Sequence, residues 1–148
     1  MRSSVEEMKH LSERISGLNR QLAVLNRQLN KLAKPILTDY SLLPYIWAEF
    51  ISFSKDRGHK PLSSVYERKK FLCSVLMLFC PLSLVGRRMK SSLRKALRDA
   101  TMVGETTISD NIRDVGFYYE TYKDFSRDVD YFCAEICEKL GKKSPRRS

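Results

Sequence analysis

The chain has 148 residues, enough for one compact core with something appended and too few for two full-sized domains. Its 43% apolar and 10% aromatic content excludes wholesale disorder. Lys and Arg outnumber Asp and Glu by 27 to 17, a formal +10, which points to a polyanionic partner: nucleic acid, an acidic protein or an anionic membrane surface.

The positive charge is patchy. It is +4 over residues 1–35, +2 over 36–86, +4 over 87–105, −4 over 106–140 and +4 over 141–148. Residues 1–35 are too polar for a secretory signal. The longest apolar run, FLCSVLMLFCPL, falls short of the roughly 18 residues needed to cross a bilayer. A soluble, cytoplasmic protein with reduced cysteines is expected, with no membrane partner.

In chain order, the first element is the clearest. Met8, Leu11, Ile15, Leu18, Leu22, Leu25, Leu29 and Leu32 step by three and four without a break, which is a heptad seam. Met8, Ile15, Leu22 and Leu29 take position a, and Leu11, Leu18, Leu25 and Leu32 take position d. So narrow a stripe predicts a coiled-coil oligomerisation helix over 1–35 rather than a helix packed on its own domain. The flanking positions include uncharged Ser12, Asn19, Asn26, Gln21 and Gln28, so identical chains meet there without much repulsion. Leucine at both a and d leaves dimer, trimer and tetramer open.

Pro35 ends that helix. SLLPYIWAEFISFSKDRG predicts a second helix, stopping near Gly58. A third opens at Ser64, with Glu67 at capping-box spacing, and runs to Pro81. Apolar on most sides, it is the expected central core helix. LSLVG is a connector into RRMKSSLRKALRDA, the fourth segment. The last long helix, DFSRDVDYFCAEICEKL, sets Phe125, Val129, Phe132, Ile136 and Leu140 on one face, and 141–148 reads as a basic, flexible tail. With no strand series and no repeat, the fold class expected is all-α: the coiled-coil helix, then a small helical domain over 36–140.

Between the fourth segment and the aromatic run lies TMVGETTISDNI. Leu93 and Leu97 supply an inner helical face, Val103 an apolar residue at a turn, Gly104 a tight corner and Ile108 an anchor for the next helix. Thr106, Thr107, Ser109, Asn111 and Arg113 are then expected to face outward. Short polar side chains at the start of a second helix are suited to base edges in a major groove. Arg87, Arg88, Lys90, Arg94, Lys95 and Arg98 place six cations just before it, suited to phosphates.

The run from Leu97 to Ile112, with V-x-x-x-T-I-S order from Val103 to Ser109, resembles the helix-turn-helix of bacterial and phage DNA-binding regulators, whose recurrent core is "LGVSxxTIS". It departs from that core at Arg98, where the motif has a small alanine, and at Thr101 and Met102, where it has Leu-Gly. More loosely, Ser63–Leu140 is similar to small uncharacterised proteins of bacterial mobile elements and phages. The resemblance implies a helix-turn-helix near 92–115 and sequence-specific or semi-specific binding of double-stranded DNA by an oligomeric transcription regulator. The alternatives are a non-catalytic adaptor that recruits a partner through its coiled coil, and a phage DNA-packaging or replication accessory factor.

Cys73 and Cys80, and Cys133 and Cys137, share helical faces, but no C-x2-C knuckle is present. Buried free thiols are expected rather than a metal site. Phe117, Tyr118, Tyr119 and Tyr122 are expected to pack the segment after the turn against the last helix rather than to stack on bases. Two histidines, no nucleophile motif and no phosphate loop argue against an enzyme, and no cofactor is expected.

Overall fold

The computed structural model describes residues 2–60 and 63–143, and the chain divides into two compact units at Lys34 and Pro35. Every regular element among the described residues is helical. Among the described residues, no helix is long and apolar enough to cross a membrane.

The first unit is one helix, α1 (Arg2–Leu32). It contains no proline, and good helix formers such as Leu, Gln, Arg and Glu fill most of its turns. At about 1.5 Å per residue it extends roughly 46 Å. Met8, Leu11, Ile15, Leu18, Leu22, Leu25 and Leu32 are exposed in the single chain, and Leu29 is half-buried. The seam is therefore continuous and largely open to solvent.

The second unit begins with a 3-10 turn, Tyr40–Leu42, capped by the Asp39 carboxylate, which accepts from the Ser41 amide at 3.0 Å. It leads into α2 (Leu43–Asp56), which carries Pro44 in its first turn, where no intrahelical donor is lost. Gly58, at φ 78°, turns the chain out of α2 in the left-handed region.

α3 (Val65–Phe79) is capped by Ser64, whose Oγ accepts from the Glu67 amide at 3.2 Å. The Glu67 side chain does not close the box. It turns inward to accept from Ser54 Oγ at 3.0 Å and to meet Lys70. α3 packs against α2, the 3-10 turn Pro81–Val85 and three later helices, α5 (Glu105–Ile112), α6 (Val115–Thr121) and α7 (Lys123–Lys139). Its sequence is apolar on most sides because nearly every side meets protein.

α4 (Ser91–Thr101) follows the 3-10 turn and an extended connector, and packs on α2 and α5. The core is aromatic: Phe50 lies edge-on to Phe132 at 5.1 Å between centroids and 5.5 Å from Phe71, and Trp47 is 4.6 Å from Phe71. On α7, Phe125, Val129, Phe132 and Ile136 are buried as expected, and Leu140 is half-buried. Gly116 in α6 rides directly on the Leu84 carbonyl, where any Cβ would overlap backbone. The Gly141 and Lys142 amides close α7 onto Glu138 and Cys137 carbonyls. The expected mobile tail falls mostly at 144–148, outside the described residues.

Candidate nucleic-acid interface

α4 and α5 are joined by only three residues, Met102–Gly104. Leu93, Leu97 and Ile108 are buried as the inner face of this pair. Thr101 organises the turn: its hydroxyl donates to the Leu97 carbonyl at 2.7 Å and accepts from the Val103 amide at 3.2 Å. The corner is not made by Gly104, as the sequence implied. Gly104 has φ −62°, which any residue adopts, whereas Met102, at φ 63°, is the left-handed residue. Met102 occupies the place where the regulator motif carries glycine. Gly104 instead caps α5, with no side chain to accept from its first amides.

Of the five expected base-reading residues, Thr106, Thr107 and Arg113 are exposed and Ser109 is half-buried. Asn111 is a correction. It is buried on the inner side of α5, one turn after Ile108, because positions 108 and 111 share a helical face. Its Nδ2 has no hydrogen-bond partner among the described residues. Its side chain does not face outward as the sequence predicted.

The six cations separate into two groups. Arg87, Arg88 and Lys90 precede α4 on the extended connector rather than lying on a basic helix, and with Lys95 they are exposed. Arg94 and Arg98 are turned back onto α5. Arg94 Nε donates to Glu105 Oε1 at 3.3 Å, and Arg98 Nη1 donates to Glu105 Oε2 at 2.7 Å. Arg98 Nε also donates to Asp99 at 3.0 Å, so Asp99 and then Glu105 hold the Arg98 guanidinium even more firmly protonated than usual. Two guanidiniums and two carboxylates cancel there. Arg87, Arg88, Lys90 and Lys95 have no ion-pair partner among the described residues and carry the positive charge that is left.

Glu105 and Asp99 were missed as modifiers of the basic cluster. Glu105 lies seven residues beyond Arg98, and only the folding back of the turn brings them together. A carboxylate in the first turn of α5 is also favourable to the helix dipole.

After α5, Lys69 is bound by Asp114, with Nζ 2.9 Å from Oδ1, and sits 4.3 Å from the centre of the Tyr118 ring. Tyr118 and Tyr119 are half-buried, the latter donating to Asp130 at 2.6 Å. Phe117, expected in the core, is 60% exposed, because α6 turns that side away from α3 and α7. Cys73, Cys133 and Cys137 are buried free thiols, and burial pushes all three up, Cys73 and Cys133 well above the ordinary thiol range. Cys80 is half-buried, with Sγ 3.3 Å from Ser83 Oγ.

Compared with models of protein families, with curated proteins and with solved structures, the chain matches none.

Proposed function

We propose that the protein binds double-stranded DNA without catalysis, as an oligomer held together by α1 that presents two or more helix-turn-helix units formed by α4 and α5. The observation that carries this reading is the α4–α5 pair: Leu93, Leu97 and Ile108 inside, Thr106, Thr107 and Arg113 outside, and four exposed cations at and before α4 with no ion-pair partner among the described residues. Arg87, Arg88, Lys90 and Lys95 hold phosphates, while Thr106, Thr107, Ser109 and Arg113 meet base edges. Regulation of transcription is the role most consistent with such a unit, and DNA packaging or replication support would use the same contacts.

A non-catalytic adaptor is the second reading, favoured by one observation. Asp99, Glu105 and Asp110 lie among the cations of α4 and α5 and reduce the positive field there.

Duplex binding followed by fluorescence anisotropy across a salt series decides between them. Four phosphate contacts contribute about −3.6 to the slope of log K against log salt for each unit engaged, rather than the roughly −5.4 that six would contribute. Arg88→Ala is expected to weaken binding to every duplex and lower the slope by about 0.9 for each unit engaged, whereas Thr107→Ala costs roughly 1–3 kcal/mol on a preferred site and little on random DNA. No duplex binding at moderate salt would leave the adaptor.

A further inference from the structure

We propose that the cavity of ≈ 620 Å³ lined by the loop after α2 and the N-terminal ends of α3 and α7 is a binding site for a phosphate group. No residue of the α4–α5 pair lines this cavity.

Lys70, whose side chain is only 2% exposed, places Nζ 2.7 Å from both Glu67 Oε2 and Asp128 Oδ2. Asp128 also accepts from Arg57 Nη1 at 3.1 Å. Two cations and two carboxylates cancel in the floor. Apolar residues of similar volume are commonly at least as stabilising as a buried ion cluster, so stability alone is a poor reason for this one.

What the cluster achieves is the placement of Arg57. Besides its bond to Asp128, the guanidinium lies 4.4 Å from the centre of the Phe53 ring and 5.1 Å from that of Tyr131. It is fixed by a carboxylate and two rings, yet its side chain stays 36% exposed, and Asp128 takes its only ion pair among the described residues. Its remaining N–H groups make no hydrogen bond among the described residues and can donate to a ligand. Such a guanidinium has already lost the rotamer freedom that binding an oxyanion would otherwise cost.

His59, Lys60 and Arg127 line the same cavity, are exposed, and have no ion-pair partner among the described residues. The one further carboxylate there, Asp124, accepts the Tyr66 hydroxyl at 2.9 Å, which with neighbouring backbone amides holds it below the ordinary carboxylate range. Glu67 and Asp128 are matched by Lys70 and Arg57, and Lys60 and Arg127 outnumber the remaining carboxylate, Asp124, so the lining keeps an excess of one positive charge, with His59 as a further donor. A phosphate, with up to two negative charges and three acceptor oxygens, matches several separate donors better than a carboxylate can.

The phosphate belongs either to a free phosphorylated molecule or to a nucleic-acid backbone, and the test separates the two. Inorganic phosphate is titrated into the full chain at constant ionic strength, with backbone amide and arginine Nε–H signals followed by NMR. Saturable shifts are expected at Gly58, His59, Lys60, Arg57 and Arg127. The double variant Lys60→Gln/Arg127→Gln alters only exposed side chains and should weaken binding about tenfold or more with an unchanged circular dichroism spectrum. Shifts that never saturate, or that saturate equally in the variant, overturn the proposal. Adenosine monophosphate and a short duplex form separate arms. Tighter binding of the nucleotide at the same signals assigns a free phosphorylated ligand, and displacement of phosphate by the duplex assigns the backbone. Equal affinity for nucleotide and phosphate, without displacement by duplex, assigns the isolated phosphate itself.

Discussion

Met102 shows how a single residue carries strain at the α4–α5 turn. A left-handed conformation costs a residue with a Cβ roughly 1–2 kcal/mol, and glycine escapes that cost. Met102 is largely exposed, so its side chain gives little in return. Met102→Gly is therefore expected to raise stability by about 1 kcal/mol, read as an upward shift of the urea midpoint at unchanged slope. A lower midpoint would mean that the methionine side chain is needed where it stands. Asn111 is a second residue at odds with its setting, being buried with an unpaired amide nitrogen. An apolar side chain of similar shape removes that desolvation cost, so Asn111→Leu should stabilise by about 1–2 kcal/mol. If duplex specificity changed while stability did not, Asn111 would be a reader after all.

At the scale of elements, α1 has a stripe and nothing in its own sequence to cover it. A lone helix in water gains little from propensity, and most of its stability must come from packing an apolar face. The open seam from Met8 to Leu32 with its sparsely charged flanks is self-complementary, so a second copy is the partner expected. Leu18→Asp/Leu25→Asp places two charges at d positions and should yield a monomer whose helical second unit persists. Sedimentation equilibrium reads the mass directly, and an oligomer of unchanged mass would remove α1 as the assembly element. The pairing of α4 with α5 works differently, through Glu105, which binds two arginines across the turn and at the same time takes them out of the positive field.

Across the second unit as a whole, buried and half-buried charges set the pH response. Burial by itself would depress Lys69 and Lys70, but Asp114 for the one, and Asp128 and Glu67 for the other, outweigh it and raise both. Tyr66 and Tyr119 are raised as well, first by burial and then by Asp124 and Asp130. All four groups hold their protons more tightly folded than unfolded. Their contribution is fully present below the unfolded values of about 10 to 10.4 and is lost as pH climbs through the folded ones. The three buried thiols are raised too, from an ordinary value of about 8.5, so stability should be flat near pH 7, begin to fall from about pH 8.5 and fall more steeply above about pH 10, followed by thermal unfolding at increasing pH. A melting temperature unchanged well above pH 10 would show that the ion pairs do not hold in solution.

Much of this molecule is written locally. The heptad step of α1, the Ser64 cap, the apolar α3 and the buried face of α7 depend on residues within a few turns of each other, and the periodicity of a helix makes them legible in the chain. Electrostatic pairing and the last positions of a short helix are not local. Lys70 meets Asp128 58 residues away, Arg98 meets Glu105 across a turn, and Asn111 turns inward with the face of α5 that holds Ile108. Composition supplied six cations before α5, but which of them remain free to meet an anion was decided only when the helices packed and brought carboxylates within hydrogen-bond reach.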